Sequence, residues 1–84
     1  MPRFDVEVRV MPRPSLLDPQ GQAVEHALTA LGFSQASDVR VGRAMTFRID
    51  SPDKGAAEKA AQAMCHRLLA NPVTEDFTVS VRAA

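Results

Sequence analysis

The sequence predicts an α+β domain with the element order β-α-β-α-β, and three observations predict it. Apolar and polar residues alternate near the start, in the middle and at the end of the chain. Between them lie two stretches with apolar residues at helical spacing. Each of those stretches carries its own start and stop residues. From Arg3 to Met11, Phe4, Val6, Val8 and Val10 point one way while Asp5, Glu7 and Arg9 point the other, the pattern of a half-buried strand. Met11-Pro12-Arg13-Pro14-Ser15 ends it, because proline cannot donate to a strand ladder.

The first helix is the most fully specified element. Asp18 is a good N-cap and Pro19 follows at N1, where its missing N–H costs nothing. Val24, Ala27, Leu28 and Leu31 share one face, with His26 opposite as a solvated side chain. Gly32 and Phe33 then spell a Schellman ending, with Phe33 folding back toward Leu28. A sheet is expected beneath this helix. The longest strand candidate runs from Asp38 to Asp50, with Val39, Val41, Met45, Phe47 and Ile49 on its apolar face. Gly42 weakens it and Arg43 stands where a hydrophobe is due, so two half-strands joined by a bend at Gly42-Arg43 are expected.

Ser51-Pro52-Asp53 starts the second helix, roughly Pro52 to Ala70, with Ala57, Ala60, Ala61, Met64, Cys65 and Leu68 on its apolar face. The alanines allow close approach to a sheet. Asn71 is placed to take the C′ position and Pro72 prevents continuation. Phe77, Val79 and Val81 alternate with Thr78, Ser80 and Arg82 as the last strand. Three strands and two helices leave sheet edges unpaired and one helix incompletely covered. Two chains exchanging halves through the bent middle strand would complete two ferredoxin-like units.

Residues 1–84 are read as a single domain, and a chain of this size buries only about 60–65% of its unfolded surface, so its own core is marginal. Ten basic and ten acidic side chains cancel, which argues against nucleic acid or an anionic membrane as partner. No apolar run approaches the roughly 20 residues of a membrane span. The single cysteine, Cys65, suits a reducing compartment, and Met1-Pro2-Arg3-Phe4-Asp5 enters a strand with no leader pattern. A cytoplasmic domain that depends on a partner or a second copy is expected.

The inventory for chemistry is thin. Cys65 and His66 are neighbours that diverge by about 100° on a helix, so they cannot share a metal. Cys65 reads as a buried, inert thiol on an apolar face. No glycine-rich phosphate loop precedes a helix. Two stretches remain as candidate binding residues. Leu17-Asp18-Pro19-Gln20-Gly21 reads first as a helix cap alone, and also offers helix N-terminal N–H groups for an anion or a partner carbonyl. Arg40 and Arg43 flank Gly42 and suit a subunit interface or a phosphate, or the solvated edge of a sheet. Glu75 and Asp76 are their candidate ion-pair partners.

Leu17-Asp18-Pro19-Gln20-Gly21, Asp38-Val39-Arg40-Val41-Gly42-Arg43 and Cys65-His66-Arg67-Leu68-Leu69-Ala70-Asn71-Pro72-Val73-Thr74-Glu75-Asp76-Phe77 together resemble the three signatures of the PurS family. These are small subunits of phosphoribosylformylglycinamidine (FGAM) synthase in purine biosynthesis. One departure is Arg43, where members often carry lysine. The resemblance implies a PurS fold completed by dimerisation, in some members by tetramer formation, and a chain that is not itself catalytic. It implies assembly of a PurQ-type glutaminase with a PurL-type synthetase, so that ammonia passes between them. On this reading ATP and Mg²⁺ belong to the synthetase and this chain binds no cofactor. Leu17 to Gly21, Arg40, Gly42 and Arg43 become expected partner or interface contacts. The alternative is a ferredoxin-like regulatory module binding a small metabolite between dimer sheets. An RNA-binding module fits less well, since Phe4, Phe47 and Phe77 all fall on the apolar face.

Overall fold

The computed structural model describes all residues from Met1 to Ala84. Strands β1 (Arg3–Pro12), β2 (Arg43–Asp50) and β3 (Glu75–Ala83) form one sheet in the order β2-β1-β3. β1 is antiparallel to both neighbours, so β2 and β3 run parallel to each other on either side of it. Helix α1 spans Pro19–Ala30 and helix α2 spans Lys54–Met64, the latter continued by one π turn over Cys65–Leu69.

The alternation read in the first strand sets the core. Phe4, Val6, Val8 and Val10 are buried on one face, and Ala57, Ala61 and Cys65 of the second helical segment close over them. Three small residues four apart let the two backbones come close. Met45, Phe47 and Ile49 of β2, with Phe77 and Val79 of β3, line the rim of this core and are half-buried. Phe4, Phe47 and Phe77 therefore lie on the helix-covered side of the sheet. On the open side, Arg48 meets Asp5 at 3.0 Å and Arg3 meets Asp50 at 3.3 Å, each pair directly opposite across β1 and β2. These exposed pairs favour the register modestly.

Helix α1 departs from expectation. It makes no substantial contact with the sheet, whose face is covered by α2 over β3 and β1. The radius of gyration is 16.3 Å, against about 12 Å for a compact chain of this length. α1 is an arm, and the apolar face meant for a sheet stays largely open: Leu31 is 73% and Phe33 51% exposed. Its ends are as read. Asp18 Oδ1 accepts from Gly21 N at 3.0 Å. At the other end Gly32 N donates to Thr29 O, Phe33 N donates to Leu28 O, and Gly32 has φ +97°, a Schellman ending.

Four further details differ. The strand expected over Asp38–Asp50 begins only at Arg43, and Asp38–Gly42 is an irregular strap along α1. Its backbone donors are claimed by carboxylates of α1 rather than by a neighbouring strand. The second helix starts at Lys54 with Asp53 as N-cap, accepting from Ala56 N, while Ser51 is buried just upstream. Leu68, expected on the apolar face, is 81% exposed, because the π turn adds a residue and brings Leu69 inward instead. Asn71 does not take a left-handed C′ conformation; its side chain instead accepts from Val73 N in an Asx turn.

Gly42 marks the point where the strap meets β1. A Cβ there would collide with the Val10 carbonyl oxygen and the Met11 sulfur. Gly42→Ala is therefore expected to destabilise the fold by about 1–3 kcal/mol, the usual cost of overpacking. A lower urea midpoint at unchanged slope will show it.

Candidate docking site

The residues singled out in the sequence come together where the arm joins the sheet. Asp18 is the centre of the upper half. Its side chain is only 9% exposed, and its two oxygens serve different segments. Oδ1 caps α1 through Gly21 N, while Oδ2 accepts from Val41 N of the strap at 2.9 Å. Gly21 is required by the same contact, because a Cβ would run into the Val39 carbonyl and the Asp18 carboxylate. Asp38 turns the chain with φ 57°, a left-handed conformation that Asp tolerates. Leu17, Pro19 and Gln20 stay exposed on the outside of this junction, with Leu17 at 74%.

The two arginines part company. Arg40 donates to the Arg13 carbonyl at 2.7 Å and lies 3.9 Å from Asp18 Oδ2. Arg43 sits on the core side of β2, opposite Val10, at the end of the sheet. From there its guanidinium makes a bidentate pair with Glu75, at 2.6 and 3.0 Å, and donates to the Leu69 carbonyl at 2.6 Å. This accounts for an arginine in an apolar series: it caps the last turn of a helix, where free carbonyls favour a cation. Glu75 is thus the partner of Arg43, whereas Asp76 pairs with Arg13 at 3.4 Å. Glycine and arginine at this crossing serve the chain's own shape before any partner arrives.

Two participants escaped the sequence reading. Glu25 Oε1 accepts from Val39 N at 3.0 Å and so fastens the strap a second time. Arg13 was passed over as part of a proline-rich break, yet it bonds to Pro72 O at 2.6 Å. A carboxylate two turns into a helix and an arginine between prolines give no local signal of such contacts. Neither His nor Cys contributes here. Cys65 is fully buried, and burial pushes its thiol pKa up; His66 packs edge-on against Phe77 at 5.1 Å. No helix is long and apolar enough to cross a membrane.

The backbone hydrogen bonds from Val41 and Gly21, helped by the Arg40 charge, hold the Asp18 carboxyl below its ordinary pKa. The Arg43 fork and Asn71 N do the same for Glu75. Both groups bind protons more readily unfolded than folded. Their contribution to stability is therefore fully present above the ordinary carboxylate range, about pH 4–4.5, and is lost as pH falls through the lower folded values. Urea unfolding at a series of pH values should show a plateau near neutrality and a decline on acidification. Asp18→Asn should lower the plateau and flatten part of that decline.

Comparison with known proteins places this geometry. The family described as PurS, phosphoribosylformylglycinamidine (FGAM) synthase, matches residues 5–83. The chain is 40% identical over 78 residues to the phosphoribosylformylglycinamidine synthase subunit PurS of Bacillus subtilis, covering 93% of this chain and 92% of that one. It superposes on PurS of Thermus thermophilus with a TM-score of 0.85 at 34% identity, covering 99% of each chain. A chain in the structure of PurLQS from Thermotoga maritima matches with a TM-score of 0.90 at 27% identity, covering 98% of this chain and 100% of that one. With a family match across nearly its whole length and relatives well above 30% identity, this chain belongs to the PurS family of FGAM synthase subunits.

Proposed function

We propose that this chain is the docking subunit of an FGAM synthase, holding a PurQ-type glutaminase against a PurL-type synthetase so that ammonia passes between them. One observation carries the reading: the fold is unfinished by itself. α1 projects from the sheet with its apolar face open. The likeness to a chain of the PurLQS complex supports the same partners. ATP and Mg²⁺ are used by the synthetase in this scheme, and the assembly works in the cytoplasm. The chemical need is containment. Ammonia is mostly protonated near neutral pH, and a closed path keeps it neutral and at high effective concentration.

The homodimer follows from two complementary surfaces of one chain. α1 exposes Val24, Leu31 and Phe33. Beside α2, above β2, an open groove is lined by Phe47, Ala63, Met64, Leu68 and Leu69. Seating the arm of each chain in the groove of the other closes a twofold arrangement and gives each sheet the second helix it lacks. Burying a leucine stabilises by roughly 1.5–3 kcal/mol, and Asp at that place adds an unpaired charge. Leu31→Asp should therefore leave far-UV circular dichroism unchanged and shift sedimentation from dimer to monomer. A Leu31→Asp chain that stays dimeric at micromolar concentration rules the arrangement out.

Leu17 to Gly21, Arg40, Gly42 and Arg43 form the contact region for the large subunits or the dimer on this reading. The exposed side chains Leu17, Pro19, Gln20 and Arg43 touch the partner, and Asp18, Gly21, Arg40 and Gly42 shape the surface beneath them. In a reconstituted complex, Leu17→Asp, Arg40→Ala or Arg43→Ala should reduce glutamine-dependent turnover more than ammonia-dependent turnover. Equal effects on both, or none, reject the docking role. A regulatory module would instead show tight binding of an amino acid or nucleotide by calorimetry.

A further inference from the structure

We infer that Arg13 sets the direction in which α1 leaves the sheet and is a positioning residue for the arm. It stands where β1 hands over to the linker, between Pro12 and Pro14, whose rings hold φ on either side of it. Its side chain reaches back to the turn before β3, donating to the Pro72 carbonyl at 2.6 Å and facing Asp76 Oδ1 from Nε at 3.4 Å. Its backbone N–H donates to Thr74 O at 3.0 Å. Its carbonyl faces the other way and accepts from Arg40 on the strap. Arg40 is in turn tied to the arm, because Asp18 and Glu25 accept from Val41 N and Val39 N. Arg13 thus joins the sheet's end to the strap, which Asp18 and Glu25 hold against α1.

Within one chain the arm is oriented by polar contacts at two crossings. α1 buries no stripe against the sheet, so packing does not choose its angle. The second crossing, at Gly42-Arg43, is gripped by Arg43 on Leu69 O and Glu75, which flank the turn that Arg13 holds. Two arginines fix two points of attachment, and Arg13 is the one that binds both this turn and the strap. A planar fork is needed, since one donor must meet a carbonyl while Nε faces a carboxylate. The bearing on assembly rests on the docking reading above; the geometric claim does not.

Spin labels at His26→Cys on the arm and Ser80→Cys on the open sheet face test it. Both sites are exposed, and the buried Cys65 thiol stays unlabelled in the folded chain. Labelled chains diluted into unlabelled excess report the distance within one chain by pulsed electron resonance. The unaltered clamp should give one narrow distance. Arg13→Ala should lose it to a broad or shifted distribution, and Arg13→Lys should restore it only in part. Val10→Ala, which weakens the core without touching the clamp, should lower stability and keep the narrow distance. If Arg13→Ala does not fold, Arg40→Gln cuts the same chain of bonds one link further on. A narrow, unshifted distance in folded Arg13→Ala, or in Arg40→Gln, overturns the inference. A distance that broadens while glutamine-dependent turnover in the reconstituted complex stays normal would uphold the clamp and count against the docking reading instead.

Discussion

The off-centre seat of α2 is the constraint from which the rest of this molecule follows. Three strands at about 4.8 Å spacing make a face that one helix, about 10–12 Å across and seated over two of them, leaves partly uncovered. Ala57, Ala61 and Cys65 let α2 settle close over β1 and β3, and the π turn brings Leu69 inward at its end. β2 keeps only a partial cover, and the chain's own α1 does not supply the rest. α1 projects outward instead, leaving large apolar side chains in water.

An arm without a packed face must be held by polar contacts, which explains why carboxylates and arginines gather at its root. Asp18 joins the first turn of α1 to the strap, Glu25 repeats the contact further along, and Arg13, Arg40 and Arg43 carry the connection to the turn before β3. Hydrogen bonds of charged groups are stronger and more directional than neutral ones, which suits a joint that must hold an angle rather than fill a volume. The same placement couples the joint to pH, because the bonds to Asp18 and Glu75 are stronger while those groups are ionised.

The subunit leaves the apolar side of its arm open. Its one thiol is sealed in the core and its histidines stay outside the junction. The family to which it belongs supplies the setting, and on the proposed reading the open arm supplies the means of joining another chain. On that reading the arm's burial is burial at an interface, which couples stability to assembly.

Periodicity and end signals alone determined the five elements, the inward set of Phe4, Val6, Val8 and Val10, and both caps of α1. These depend on residues within one or two turns of each other, so local sequence contains them. The three signature stretches also sufficed to identify the family. Tertiary structure alone decided that α1 has no sheet beneath it, that Asp38–Gly42 is a strap rather than a strand, and that Leu68 faces water. It alone assigned Arg43 to Glu75 and revealed Arg13 and Glu25. Each of those outcomes turns on pairings between residues far apart in the chain, such as Arg13 with Pro72 or Val41 with Asp18. Local pattern shows which side chains want burial or a partner; only the assembled backbone settles which of them is near enough to supply it.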